Sequence, residues 1–379
     1  MSDSLAEKVG ALALVDHHAH PALAAEVLRP GFEALITESD RVAPAGTTQF
    51  DSQLGIALRR WCAPVLGLPP SPTPEDYLAR RAEVGADEVA RRFLRASGVA
   101  HFLVDTGYQL DGALDLAEMG ESAQAKVDEV VRLEQVAEQV VQAGDGTAAG
   151  FLQRFEAALW DRTAQARAVK SIIAYRMGLG LDPDPPAAAE VAAAAGRWLA
   201  EVDQGGTVRV SDPVLLRFLL WAGVDRGLPL QVHTGFGDPS ADLRQCDPLL
   251  LRTFLERIEG RPVPVLLLHC YPYHRQAGYL AHAYPHVYLD VGLALNHVGA
   301  RAAAVVAESL ELAPFTKVLF SSDGFGLPEL HYLGASLWRR ATAQVLGEWV
   351  ASGEWSHADA VRAATMIGAG NAARIYRLG

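Results

Sequence analysis

Cysteine is scarce in this chain. Its three residues, Cys62, Cys246 and Cys270, are widely spaced, odd in number and without a Cys-x-x-Cys pair, which argues for reduced thiols and against a disulfide frame or a thiolate zinc site. Any metal must therefore be held by nitrogen and oxygen. Long apolar runs are missing too, since no uninterrupted stretch reaches the ~18 residues that a membrane span requires. Positive charge is in deficit: the formal net charge is -12 and no local Lys/Arg cluster offsets it. Neither nucleic acid nor an anionic membrane surface is then an expected partner. The opening Met-Ser-Asp-Ser-Leu-Ala-Glu-Lys has no basic-then-apolar signal layout, which makes a cytoplasmic location the default expectation.

What is present is a large apolar inventory. Half of the 379 residues are hydrophobic, so the chain can fill either two cores or one large α/β barrel. From residue 100 onward, short apolar runs alternate with Ala-, Leu- and Arg-rich segments at helical spacing. Strands are expected at 12–18, 100–104, 127–133, 168–174, 228–233, 263–270, 286–291 and 317–321. Helices are expected at 147–166, 187–202, 213–226, 248–259, 274–283, 300–312 and 329–346. Eight alternating β/α units with aliphatic strands predict a closed (β/α)8 TIM barrel, buried on both sheet faces. The whole chain, 1–379, reads as one barrel domain. Residues 36–98 break the repeat with a polar segment, a Pro-rich turn and helical runs, and are read as a mostly helical insertion capping one end. The C-terminal part, 356–378, is expected on the outside of the barrel.

The stretch Ala13-Leu14-Val15-Asp16-His17-His18-Ala19-His20 reads as a buried strand ending in a His-x-His pair. Strand alternation puts Asp16, His18 and His20 on one face and turns His17 toward the helices. Two imidazoles there suit a divalent transition metal, although an isolated pair also fits core histidines with hydrogen-bonded rings. Later strands end in similar fashion. Pro229-Leu230-Gln231-Val232-His233 closes on His233, Val265-Leu266-Leu267-Leu268-His269 on His269, and Val318-Leu319-Phe320-Ser321-Ser322-Asp323 on Asp323. A polar residue closing an aliphatic strand is costly to bury alone, and barrel enzymes keep their reacting groups at these carboxyl ends.

The order Asp16-x-His18-x-His20, Lys170, His233, His269, Asp323 resembles the amidohydrolase superfamily of metal-dependent hydrolases. The wordings around Lys170 to Arg176, His233 to Asp238, His269 to His274 and Ser321 to Gly324 are similar to one branch of it, the amidohydrolase domain found beside glutamine synthetase in fungal developmental and nodulin-like proteins. The resemblance covers essentially the whole chain and implies metal ligation by His18, His20, His233 and Asp323. His269 is either a ligand to a second ion or a group that polarises substrate and shuttles a proton. It further implies one or two divalent ions, most simply Zn2+, which lowers the pKa of water from 15.7 to about 7, with Asp323 accepting the proton.

Lys170 occupies the fourth-strand place where binuclear relatives carry a carboxylated, metal-bridging lysine. The alternative is a lysine paired with Asp323 or another barrel carboxylate. Arg176 shares the parity of Lys170 and is expected to grip an acidic group of a small-molecule substrate, with Tyr271, Tyr273, His274 and Arg275 nearby; a pairing with a loop carboxylate is the competing reading. Asp105 and Asp290 read as carboxylates orienting ligand imidazoles, Glu329 as first-turn helix charge, and His101, His282, His286, His297 and His357 as ordinary surface histidines. The expected activity is hydrolysis of an amide in a small carboxylate-bearing substrate. A uronate-isomerase-like isomerase or a decarboxylase on the same barrel is the alternative, and a non-catalytic scaffold a third reading. The oligomeric state is left open.

Overall fold

The computed structural model describes residues 4–144 and 146–379, so the first three residues of the N-terminal segment read above lie outside the described residues. Seven parallel strands follow one another in sheet order: β1 (Leu14–Ala19), β2 (Val99–Asp105), β3 (Lys126–Arg132), β4 (Ala168–Ser171), β5 (Leu230–Thr234), β6 (Val265–His269) and β7 (Val287–Leu289). The sheet curls until residues 318–324 lie between β7 and β1. Val318 bridges Leu289 in parallel, the Leu319 N–H donates to the Leu289 carbonyl at 2.9 Å, and the Phe320 carbonyl accepts from the His17 N–H at 3.2 Å. The eighth strand expected at 317–321 is therefore in place without being a regular strand. Its ladder is interrupted because the Ser322 N–H donates to the Asp16 carboxylate at 2.9 Å instead of to a neighbouring backbone. The (β/α)8 TIM-barrel reading holds with seven regular strands and one irregular stave.

Two cores divide the strand residues by parity. Leu14, Phe102, Val131, Val169, Val232, Val265 and Leu267 join the large cluster shared with the helices. Val15, Leu103, Val130, Ala168, Leu266, Leu268 and Leu319 form a second cluster inside the barrel. The sheet thus buries aliphatic side chains on both faces, as a parallel barrel requires, with β5 the exception, since its inward side chains are Gln231 and His233. The interior cluster is completed by Ala372, Ile375 and Tyr376. The C-terminal segment was expected outside; instead it turns through 366–370 and drives these side chains into the amino-terminal end of the barrel, where the Lys126 Nζ meets the Gly379 carbonyl at 2.6 Å.

Three departures from simple alternation shape the functional end. Between β1 and β2, Asp16 pairs with Phe102 and Ala19 with Val104, so three steps on one strand face two on the other. That bulge lets His17 and His18 both point into the barrel. Asp16 and His17 are therefore the reverse of their expected faces: Asp16 points outward to Ser322, and His17 points inward. Second, β4 ends at Ser171 and gives way to a tight turn, Ile173–Tyr175, so parity does not run on from Lys170 to Arg176. Third, His269, Cys270 and Asp323 adopt left-handed backbone, with φ of 69°, 56° and 47°.

The region 36–98 is helical over Gln53–Trp61, Pro74–Val84 and Ala86–Ala96, and the last of these packs against the long helix Pro328–Ala351. Glu329, read as helix-terminal charge, is buried in that helix's first turn and accepts from the Arg81 Nε at 2.7 Å. Two residues on, His331 is fully buried, and neither ring nitrogen has a hydrogen-bond partner among the described residues. It stands so close to Gly324 that a Cβ there would lie 2.6 Å from its Cγ.

Burial pushes the His331 imidazole down to about 3 from its ordinary 6.5. The folded ring is neutral, while the unfolded ring protonates near its ordinary value, so the contribution is complete above pH 6.5 and is lost as pH falls toward 3. Metal-free His331→Leu protein should therefore lose stability less steeply with acid than the parent, measured by urea titrations across that window. Parallel curves would remove His331 from the acid response.

Candidate metal centre

The bulge in β1 presents His18 and His20 at the carboxyl end of the barrel, their rings 5.1 Å apart and nearly perpendicular. Both tautomers follow from hydrogen bonding. The His18 Nδ1 lies 2.9 Å from the Gln231 Oε1 and the His20 Nδ1 lies 3.1 Å from the Asp105 carbonyl. Each of these oxygens only accepts, so both Nδ1 atoms carry hydrogen and both Nε2 atoms present lone pairs. Those lone pairs converge on Asp323, whose Oδ1 is 3.2 Å from the His18 Nε2 and 3.6 Å from the His20 Nε2. The Asp323 Oδ2 lies 3.5 Å from the His269 Nδ1.

His233 closes the group, its ring centroid 4.7 Å from that of His269. Three of these buried atoms, the His233 Nε2, the His269 Nδ1 and the Asp323 Oδ1, have no hydrogen-bond partner. Leaving such groups bare costs about 1–3 kcal/mol each. A cation removes that cost, and the nitrogen and carboxylate donors match a divalent transition metal. Ligand atoms of His18, His269 and Asp323 lie mutually within 4.8 Å, as do those of His18, His20 and Asp105. The donor set fits an ion.

Electrostatics keep the imidazoles ready to ligate. Burial holds the His18, His233 and His269 rings well below their ordinary range and the His20 ring at about 3. Burial raises the Asp323 carboxyl above its usual range. Lys170 reaches into the same space, its Nζ 2.8 Å from the His18 Nε2 and 3.6 Å from the Asp105 Oδ2. Its amine is held below the ordinary lysine range, chiefly by burial. Asp105, against the upward push of burial, stays well below the carboxylate range because the Arg132 guanidinium and the Lys170 amine face it. Arg132 grips the Asp105 Oδ2 through Nη2 at 2.7 Å and Nε at 3.2 Å.

Above these groups opens a cavity of about 1010 Å3 whose wall includes Lys170, His233, His269, Asp323, Arg132, Arg176 and Arg209. Arg176 donates to the Glu138 carboxylate at 3.0 Å, yet its buried Nε and Nη1 have no partner. Tyr175 lies over His233 with centroids 4.2 Å apart. Gly237 is what permits this approach, since a Cβ there would meet the tyrosine Oη at 2.0 Å and the His233 Nε2 at 3.0 Å. The structure thus brings together His18, His20, Lys170, His233, His269, Asp323 and Arg176.

Tyr271 and His274 stand elsewhere. They stack on one another with centroids 5.8 Å apart, and the His274 Nε2 meets Glu308 at 2.7 Å. Arg275 pairs with Glu311, and Tyr273 donates to the Leu243 carbonyl at 3.0 Å. None of the four is in the cavity wall, because the left-handed turn at His269 and Cys270 carries the chain away from the mouth. His101, expected at the surface, is buried on β2 and bonds Asp128 at 2.8 Å.

Sequence reasoning missed Gln231, Arg132 and Tyr175. Gln231 left a signal: it shares parity with His233 in an otherwise aliphatic strand.

The family model described as Amidohydrolase matches residues 15–378. "Protein fluG" of Emericella nidulans is 35% identical over 242 residues, which is 60% of this chain and 28% of that protein. The chain therefore spans well under a third of that relative's length. Among solved structures, a Lactobacillus casei protein provisionally described as a metal-dependent hydrolase is 28% identical, with TM-score 0.85 over 100% of this chain and 98% of that one. A uronate isomerase of Thermotoga maritima shares the fold at 14% identity and TM-score 0.63, over 98% of this chain and 96% of that one.

His20→Ala and Asp323→Ala should each weaken Zn2+ binding by more than the roughly 10–100-fold expected from losing an outer hydrogen-bond partner, whereas His274→Ala should leave it unchanged. Chelator competition reads all three. Equal affinities across the set would move the metal away from this group.

Proposed function

The chain belongs to the amidohydrolase family, and we propose that it is a metal-dependent hydrolase cleaving the C–N bond of a small amide that carries a carboxylate. The observation behind this reading is the convergence of the His18 and His20 Nε2 lone pairs on Asp323, beside the unpartnered His269 Nδ1 and under an arginine-walled cavity. His18, His20, His233, His269 and Asp323 would hold the ion. When bound, a divalent cation supplies Lewis acidity that makes water nucleophilic near neutral pH.

The residues do the rest. Asp323, with its affinity for protons raised by burial, takes the proton of the attacking water at Oδ2 and returns it to the departing amine nitrogen. The carbonyl carbon gains the water oxygen, the C–N bond breaks, and a carboxylic acid and an amine leave. Arg176, whose Nε and Nη1 have no partner among the described residues, is the guanidinium offered to the substrate's carboxylate, in a wall that also carries Arg132, Arg209 and the carboxylates of Glu38, Asp40, Asp111 and Asp238.

Lys170 has two fates within this reading. Burial lowers the proton affinity of its amine, and the neutral amine is the form that takes up CO2; unmodified, it occupies the His18 Nε2 by hydrogen bond. Intact-mass measurement of the metal-loaded protein under native conditions distinguishes the two by the added mass of CO2.

Metal-loaded and metal-stripped protein should be compared on γ-glutamyl amides, N-acyl amino acids and uronates. Amine release from the first two classes that requires metal supports the proposal, and turnover of uronates alone would replace it. On a hydrolysed substrate, Asp323→Asn should lower kcat by roughly 10²–10⁴-fold. Arg176→Ala should raise KM by about 10–100-fold with kcat nearly unchanged, the loss expected for hydrogen bonds to a charged group. An unchanged KM would assign the carboxylate to another residue.

A further inference from the structure

Beneath the metal-ligating group lies a chain of buried polar contacts that the hydrolytic reading does not use. The Gln231 Nε2 is 2.7 Å from the His17 carbonyl and 2.9 Å from the Tyr376 hydroxyl, and its Oε1 is 2.9 Å from the His18 Nδ1. The His17 Nδ1 is 2.9 Å from the same hydroxyl, and its Nε2 is 3.1 Å from the Asp290 Oδ2. All five side chains are buried.

The direction of every hydrogen follows from one fixed point. A backbone carbonyl only accepts, so the Gln231 amide nitrogen must face the His17 carbonyl, and its oxygen must face His18. The His18 Nδ1 therefore donates. Tyr376 accepts the second amide hydrogen, which leaves its own O–H for the His17 Nδ1. His17 is then hydrogenated at Nε2 and donates to Asp290. Donation runs one way, from His18 through Gln231, Tyr376 and His17 to a carboxylate.

We infer that Tyr376, from the C-terminal segment that closes the floor of the barrel, is a positioning residue for the metal ligand His18. By accepting the second hydrogen of the Gln231 amide, it reinforces the orientation that the His17 carbonyl sets, and so favours the His18 tautomer whose Nε2 lone pair faces the metal. A chain ending on the Asp290 carboxylate also polarises the His18 ring toward a more basic ligand, since hydrogen bonds in series reinforce one another. Asp290 is itself anchored, accepting the His269 N–H at 3.1 Å, the Gly292 N–H at 2.8 Å and the Ser321 hydroxyl at 2.8 Å. The same carboxylate thus fixes the backbone of a second residue of the site. Without the tyrosine hydroxyl, one hydrogen of the Gln231 amide loses its acceptor and the His17 carbonyl alone holds the amide, so the orientation that keeps hydrogen on the His18 Nδ1 is weakened.

The inference rests on His18 being a metal ligand, so the test separates the two. Metal-free Tyr376→Phe, its fold checked by circular dichroism and thermal melting, is titrated with Zn2+ against a chelator. The expected result is a roughly 10–100-fold weaker affinity than the parent, at a temperature where both are folded. Equal affinities with only a lowered melting temperature would overturn the inference and leave the metal centre standing. A parent that binds no Zn2+ would overturn both. Nitrogen-15 NMR of the histidines in the metal-free parent needs no variant. Hydrogen on the His18 Nδ1 and the His17 Nε2 supports the relay, and the opposite tautomer at either ring overturns it.

Discussion

The whole arrangement depends on keeping imidazoles neutral and dry. Four rings, His18, His20, His233 and His269, are buried around one carboxylate, and burial pushes the protonation of each well below the ordinary imidazole range. A protonated ring has no free lone pair, so the desolvation that makes these residues expensive to bury also keeps their lone pairs available to a metal. The barrel supplies that desolvation: two aliphatic layers enclose the strands, and the C-terminal side chains Ile375 and Tyr376 close the floor. What stays open is the mouth, whose wall carries both arginines and carboxylates.

Neutral rings still need orientation, and the chain provides it through atoms that can act in only one sense. The Asp105 carbonyl sets His20 and the Gln231 amide oxygen sets His18. Asp105 does further work through its carboxylate, which Arg132 and Lys170 both approach. This places a positive guanidinium directly behind the site while the lysine remains near His18. Arg132 is thus both a support for Asp105 and part of the cavity wall.

The barrel was legible because its evidence is periodic: aliphatic strands alternating with helical segments leave a pattern that survives in one sequence. The polar residues at strand ends were legible for the same reason. What escaped was set by single backbone departures. Alternation placed Asp16 with His18 and His20, but the bulge exchanges the places of Asp16 and His17. Alternation from the inward-facing Leu266 and Leu268 would turn His269 toward the helices, and a φ of 69° brings it back to the site. Tyr376 lies so far along the chain from His17 that no local pattern could have paired them.

These departures coincide with the chemistry for an energetic reason. A non-glycine residue in the left-handed region costs on the order of 1–3 kcal/mol, and His269, Cys270 and Asp323 are three of the chain's few such residues. Regular strand geometry would avoid that cost, but it would send alternate side chains away from one another. Bringing His18, His20, His233, His269 and Asp323 together from three strands and an irregular eighth stave requires that some backbone leave the ladder. The bonds that replace the ladder come from side chains: Asp16 to Ser322 and Asp290 to His269, Gly292 and Ser321. Asp16 is therefore a structural carboxylate, which explains how it can lie two residues from His18 and face away from the candidate metal centre. Its burial raises it to about 7, so the bond that fixes the Asp323 segment is itself an ionisable one. The sequence motif Asp-x-His-x-His thus combines two tasks, with its histidines in the candidate metal centre and its aspartate holding the stave that brings Asp323 to them.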